Sequence, residues 1–495
     1  MGKLQSLAKD TAIYGLSSII GRFLNYLLVP LYTAKMSVES GNYGVVTNVY
    51  AWTAILLVLL TFGFETTFFR FASKENADIK RVFSMSMQVV GSLCALFLLA
   101  VFMFLPGISE TLGYAANPEF IGMMAVVVAL DALQAIPFGL LRLQKRPLKF
   151  AALKLLFIGM NIAMNLFAFV ALPYLAAEKP DTFARFYDPH NQAFYVFFIN
   201  LLCTSSITLF FIPELRMFRF TADKALLKSM LSYSWPLLLL GIAGILNLNA
   251  DKIIYTWLVP GKQGIVDLSI YGASVKVAAI MAMLMQAFRY AYEPFVFGNS
   301  KEKESKKLYA DAMKYFIVVA MIAFLCVVFY MDILRYIISP NYWEGLKVVP
   351  IVMAAEIFMG IYFNLSFWYK LNDETYWGAI FSFIGCAVLF AMNILLVPKY
   401  GYIACAWASF AGYFTAMTLS YIVGQKRNAI NYDLKSIFVY TLLFAAVYGA
   451  SLINPVENSI VKMGINTVLL LLFVAYFIKK DLPLKSIPVI GKFFR

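Results

Sequence analysis

Residues 11–32 read TAIYGLSSIIGRFLNYLLVPLY, with a single charge, Arg22, in the stretch. A helix that crosses a bilayer needs roughly 20 mostly apolar residues, so this segment predicts a membrane span. It shows no small-residue cleavage site, so it is expected to stay as a span rather than be removed as a signal. Stretches of the same kind recur at 43–64, 82–105, 118–141, 150–172 and 191–212. They continue at 233–258, 269–292, 310–332, 346–369, 376–397, 402–424, 436–453 and 461–478. The expected fold is an all-α polytopic membrane protein of about fourteen transmembrane helices.

Composition agrees. Only 14% of the 495 residues are charged and 62% are hydrophobic, whereas soluble domains carry about 25% charged residues. The 17% aromatic content suits lipid-facing helices with interfacial belts.

The net charge of +14 invites a nucleic-acid reading, but its distribution gives another. Of the 41 Lys and Arg, 28 fall on one set of alternating connectors and tails and 8 on the other. Five lie inside spans: Arg22, Lys154, Lys252, Lys276 and Arg289. Cytoplasmic loops carry the Lys/Arg excess, so both ends are expected inside, with membrane lipid and no nucleic acid as partner. The longest outer connector, 173–190, is too short for a catalytic domain. No phosphate-binding loop appears in any inner one, so catalytic residues are not expected. The five cysteines lie in apolar spans and His190 stands alone, so neither a metal site nor a cofactor is expected.

An internal repeat orders the spans. Tyr43-Gly44 recurs as Tyr271-Gly272, Glu65 as Glu293, Arg142-Leu143 as Lys370-Leu371, and Ala163-Met164-Asn165 as Ala391-Met392-Asn393, all at an offset of 228. Leu28-Val29-Pro30 recurs as Leu258-Val259-Pro260 two residues out of step. Residues 1–228 and 229–430 are therefore expected to form two pseudo-symmetric six-helix lobes. Residues 431–495 would add two helices and a cytoplasmic tail. Two such lobes, related by an axis along the membrane normal, suit alternating access around a central site.

Charges inside a bilayer are costly and tend to mark function. Arg22 and Asn25 lie on one helix face. Lys252 follows Asn247, Asn249 and Asp251, and precedes Pro260 by eight residues as Arg22 precedes Pro30. The two cations thus sit at matching depth, and Lys276 adds a third. Each either faces a cavity or holds the bundle together through local pairing. Asp131, with Gln134 a turn later, and Glu356 are mid-membrane acids. They either pair with the cations or bind H⁺ or Na⁺ for coupling. Three cations against few acids suit an anionic substrate such as a diphosphate.

These residues resemble a known family. Gly21-Arg22 with Val29-Pro30-Leu31-Tyr32, Tyr43-Gly44, and Gly63-Phe64-Glu65 through Phe69-Arg70-Phe71 resemble the opening of polysaccharide flippases. So do Ser234-Trp235-Pro236-Leu237, Asp251-Lys252 (with Lys where the family has Arg) and NILLVPKYG at 393–401. The likeness covers spans 1–12 and points to the O-antigen and capsule transporters of the MOP superfamily, which also holds lipid II flippases and MATE drug exporters. It implies movement of an undecaprenyl-diphosphate-linked oligosaccharide, as in lipopolysaccharide biosynthesis, from the cytoplasmic to the periplasmic leaflet of a bacterial inner membrane. A polysaccharide polymerase and chain-length machinery are the implied partners. Arg22, Lys252 and Lys276 would hold the diphosphate, and Tyr26, Trp52 and Tyr271 would stack on sugars. Competing readings are a lipid II flippase, a cation-coupled drug exporter and a membrane polysaccharide polymerase. In a polymer-export complementation assay, Arg22→Ala is expected to lose export. Full export at normal expression would remove Arg22 from the site.

Overall fold

In the computed structural model the described residues are 26–74, 77–299, 305–372, 374–456 and 458–481. Among them there is no strand, and 13 helices are long and apolar enough to cross a membrane. We number the helices by span. α1 is Leu28–Lys35, whose predicted span begins outside the described residues. The first half continues with α2 (Asn42–Ala72), α3 (Ile79–Met103), α4 (Pro118–Leu143), α5 (Pro147–Glu178) and α6 (Gln192–Leu209). The second half holds α7 (Lys224–Leu258), α8 (Lys262–Asn299), α9 (Ser305–Phe329), α10 (Pro340–Lys370), α11 (Tyr376–Tyr400) and α12 (Tyr402–Arg427). α13 (Leu434–Ile453) and α14 (Ser459–Asp481) end the described chain.

Helices α3, α7 and α13, which start on the inner side by the charge count, are capped alike. Asp78, Asp223 and Asp433 accept hydrogen bonds from the N–H groups of Arg81, Leu226 and Ser436 at 3.0–3.1 Å. Each cap satisfies a backbone donor that the first helical turn leaves orphaned. α4 and α5 open on Pro118 and Pro147, where the missing N–H costs nothing. α2 is interrupted at Phe62 and Gly63, both at positive φ (49° and 71°).

The repeat has a structural counterpart. Asn165 and Asn393, 228 residues apart, are both fully buried, and each side-chain amide donates to the carbonyl four residues back, Asn161 and Leu389. Gly44 and Gly272 sit where α2 crosses α8. A Cβ on Gly44 would lie 2.0 Å from the Ile265 carbonyl oxygen, and one on Gly272 2.5 Å from Thr47 Oγ1. Only glycine allows that approach, and the Gly44 N–H uses it to reach Ser269 Oγ at 2.7 Å. Nearby, the Tyr342 hydroxyl donates to the Met36 carbonyl (2.8 Å) and the Ser339 N–H to Thr33 Oγ1 (3.2 Å). Asn48 Nδ2 donates to the Lys252 carbonyl at 2.8 Å. These contacts join the two halves toward their outer ends.

α13 and α14 pack chiefly against α9. At the end that the charge count puts inside, Lys314 Nζ lies 2.8 Å from Asp481 and 3.5 Å from Asp433, and the Tyr440 hydroxyl donates to Asp481. On the outer side Ser459 Oγ donates to Asp332 at 2.6 Å. The pair is thus braced at both ends of one neighbour.

Gly44→Ala is expected to force α2 and α8 apart, at an overpacking cost of about 1–3 kcal/mol. With Met36→Cys as reporter, its buried position should become labelled faster by a membrane-impermeant maleimide. An unchanged rate would show that the crossing does not close the outer side.

Candidate functional site: a cationic cavity

A cavity of about 770 Å³ lies among α1, α7, α8, α10 and α11. Two parallel stripes make most of its wall. On α8 they are Lys276, Ala279, Met283, Gln286 and Arg289; on α10 they are Glu356, Met359, Phe363, Ser366 and Lys370. The first four of each set follow the i, i+3, i+7, i+10 spacing of a single helix face; Lys370 continues it at i+14, while Arg289 at i+13 lies further around α8. Lys276 and Glu356 sit deep. Arg289 lies thirteen residues below Lys276, about 20 Å along the axis, near the ends that the charge count puts inside. The guanidinium carbon of Arg289 stands 4.5 Å, and the Lys370 ammonium 4.7 Å, from the centre of the Phe363 ring. Both cations therefore lie against the same aromatic ring.

The described lining holds three cations and one carboxylate. Lys276 is exposed to the cavity, and among the described residues no ion pair joins it or Glu356 to a partner. Tyr26 also lines the space, its hydroxyl buried without a hydrogen-bond partner. The Tyr362 hydroxyl donates to the Gly378 carbonyl (2.9 Å), tying α10 to α11 at the wall.

The structure sorts the residues singled out from sequence. Arg22 and Asn25 lie outside the described residues. Lys276, Glu356 and Tyr26 meet in the cavity. Lys252 does not line it. Its ammonium is held by Asp251 (3.0 Å) and by the Leu248 carbonyl (2.8 Å), which is the local pairing that the sequence offered as the alternative to a cavity role. Asp251 is 2% exposed and also accepts from the Tyr271 hydroxyl at 2.5 Å. Tyr271 is thereby a buried structural group and not a wall on which a sugar stacks. Asn247 donates to the Ala243 and Ser382 carbonyls (2.9 and 3.0 Å), joining α7 to α11. Asn249 turns back on the Ile245 carbonyl (3.3 Å). Trp52 packs with Trp257, ring centres 5.7 Å apart, on a separate apolar pocket formed with α3 and α4.

Asp131 and Gln134 belong to another neighbourhood, inside the first half. Gln134 Nε2 donates to the Thr204 carbonyl (3.0 Å) and to Thr208 Oγ1 (2.8 Å). Asp131 is electrostatically coupled to Lys154, whose ammonium lies 4.1 Å from the Phe138 ring centre. Below them Arg142 pairs with Glu65. Asp131 and Glu356 therefore do not share an environment: Glu356 lines the cavity and Asp131 does not.

Sequence reasoning passed over Arg289, Gln286 and Lys370 as binding candidates. Spacing alone did not mark Arg289, because thirteen residues carry it about 140° around α8 from Lys276; its charge within an apolar span was the available signal.

Three comparisons place this geometry among known proteins. A family model described as polysaccharide biosynthesis protein matches residues 7–290. No curated protein matches the chain. Among solved structures, the lipid II flippase MurJ in an inward closed conformation aligns at 15% identity with a TM-score of 0.69, covering 94% of this chain and 98% of its own. An inward-facing multidrug resistance MATE family transporter of the MOP superfamily aligns at 13% identity with a TM-score of 0.60, covering 82% and 94% respectively. The chain belongs to the polysaccharide biosynthesis protein family, and its fold is that of the MOP superfamily of flippases and transporters.

Proposed function

We propose that this protein flips an undecaprenyl-diphosphate-linked oligosaccharide repeat unit, such as an O-antigen unit, from the cytoplasmic to the periplasmic leaflet of a bacterial inner membrane. The observation that carries the reading is Lys276, exposed to a mid-membrane cavity without an ion-pair partner among the described residues, above Arg289 on the same helix. A cation held this way in a low-dielectric setting is expensive, and an anionic head group offsets the cost. Arg289 and Lys370 at the inner end meet the diphosphate first, and Lys276 receives it deeper. Tyr26 offers a ring and an unpartnered hydroxyl to the first sugar.

Residues 1–228 and 229–430 act as the two lobes, rocking about the α2–α8 crossing. The repeat-related glycines and asparagines support that division. Proton or Na⁺ coupling belongs to Asp131 in the first lobe, supported by its enclosure with Lys154. A polymerase and chain-length machinery take up the product. The MurJ likeness favours lipid II as the second reading, sharing the diphosphate. A MATE-type exporter of cationic drugs fits less well, because three of the four charged groups among the described lining are cationic.

In the export assay Lys276→Ala is expected to lose about tenfold or more, as removal of a charge-assisted contact predicts, with Lys276→Arg retaining part. Its thermal stability should not fall. Lys252→Ala should do the reverse and lose about 3 kcal/mol of stability, because it strips a buried carboxylate of its counter-ion. Wild-type export by Lys276→Ala at normal expression would overturn the reading.

A further inference from the structure

A second polar pocket, of about 360 Å³, lies far from the cavity, on the outer side by the charge count. It forms where the connector between α5 and α6 folds over the start of α4 and the first turn of α6. Its walls hold Glu119, Arg185, Asp188 and Asn191 together with the rings of Tyr187 and Tyr195. The connector is pinned in place. The Asp188 N–H donates to the Tyr195 hydroxyl (2.6 Å), and that hydroxyl donates to the Phe186 carbonyl (3.0 Å). Asp188 Oδ1 accepts from the His190 N–H at 2.8 Å. The rings of Tyr187 and Tyr195 lie nearly parallel, 18° between planes and 6.5 Å between centres. On the helix feeding this connector, α5 widens into a π-turn over Phe167–Ala171, a feature frequent at functional sites.

We propose that this pocket binds a pyranose of a glycan outside the membrane. The chemistry selects that ligand. A sugar has an apolar C–H face that suits an aromatic platform and hydroxyls that both donate and accept. Two carboxylates, an amide and a guanidinium supply acceptors and donors around that platform. A phosphate or other anion is disfavoured, because Glu119 and Asp188 outnumber Arg185. A metal ion is disfavoured too, because no group of three or more His, Cys, Asp or Glu gathers among the described residues. The volume falls near the lower end of small-molecule pockets, about 300–1,000 Å³, which fits a terminal unit of a glycan and not a whole lipid-linked molecule. The inference rests on the outer placement of this connector and on a glycan substrate. It adds a station that takes the sugar after release from the cavity.

The full chain in nanodiscs is applied to a printed array of bacterial surface oligosaccharides carrying neither lipid nor phosphate. The expected result is binding to a subset of glycans, reduced about tenfold or more by Tyr187→Ala and by Arg185→Ala, as loss of a stacking ring or a charged donor predicts. Tyr187→Phe should keep the signal, because it keeps the ring. Thermal unfolding of each variant near the wild-type temperature shows that the connector alone is altered. No signal above empty nanodiscs, or an equal signal from wild type and Tyr187→Ala, overturns the pocket. Lys276→Ala should bind the array as wild type does. Loss of export in Lys276→Ala without any array signal would therefore refute this pocket while leaving the transport reading standing.

Discussion

The two halves come into close backbone contact where α2 crosses α8, toward the ends that the charge count puts outside. Gly44 presents its N–H to Ser269 while its missing side chain makes room for the Ile265 carbonyl. In hydrocarbon no hydrophobic force pulls helices together, so small residues and hydrogen bonds must do it. Tyr342 on Met36, Ser339 on Thr33 and Asn48 on the Lys252 carbonyl reinforce the same outer region. The cavity between α1, α8 and α10 extends along α8 and α10 to Arg289 and Lys370, near the ends that the charge count puts inside. Opening the other way requires these few polar contacts to be exchanged for others. They are fewer and more local than the packing within each half, which makes them the natural place for a two-state element.

The second organising constraint is that every polar group taken into the membrane must be satisfied or used. Most are satisfied locally. Asn165, Asn247, Asn364 and Asn393 each donate to a carbonyl one turn back, which satisfies the amide nitrogen, while the side-chain oxygens of Asn364 and Asn393 stay buried without a partner. Asp251 collects Lys252 and Tyr271. Charges at the inner surface are paired, Arg142 with Glu65 and Lys149 with Glu214. Glu214 is 4% exposed, so that pair anchors α5 to the chain just after α6. Against this background Lys276 is conspicuous for being left to the cavity.

Much of this was legible in the chain. The spans follow from length and hydropathy, because a bilayer admits few alternatives to a long apolar helix. The repeat was legible because its residues carry backbone constraints: a glycine that must approach, an asparagine that must turn back. Lys276 was legible as a buried cation. Its distinction from Lys252 was not, since that depends on whether Asp251 swings toward its chain neighbour, a choice of rotamer that spacing does not encode. Trp52 and Tyr271 lie away from the cavity for a similar reason. Each is aromatic at a plausible depth, but Trp52 meets Trp257 on another surface and Tyr271 is consumed by Asp251. The pocket at Tyr187 and Tyr195 needed the fold outright, because it joins Glu119 to residues more than sixty positions later.

Lys252 and Lys276 pose the same energetic problem and solve it differently, which is why one reads as structure and the other as function. An ammonium removed from water costs several kcal/mol even after relaxation. At Lys252 a carboxylate and a carbonyl offset that cost in the empty protein, so the pair is indifferent to substrate. At Lys276 no carboxylate among the described residues forms an ion pair to do so. A ligand that brings negative charge to this depth is then stabilised by the difference, and a neutral or cationic one is not. Glu356, facing the same space, keeps the bare cavity from attracting small anions as strongly as three cations alone would. On the proposed function, the discrimination that results favours a molecule carrying more than one negative charge, because three of the four charged groups of the described lining are cationic. A diphosphate between a lipid and a sugar meets that description, and a single carboxylate does not.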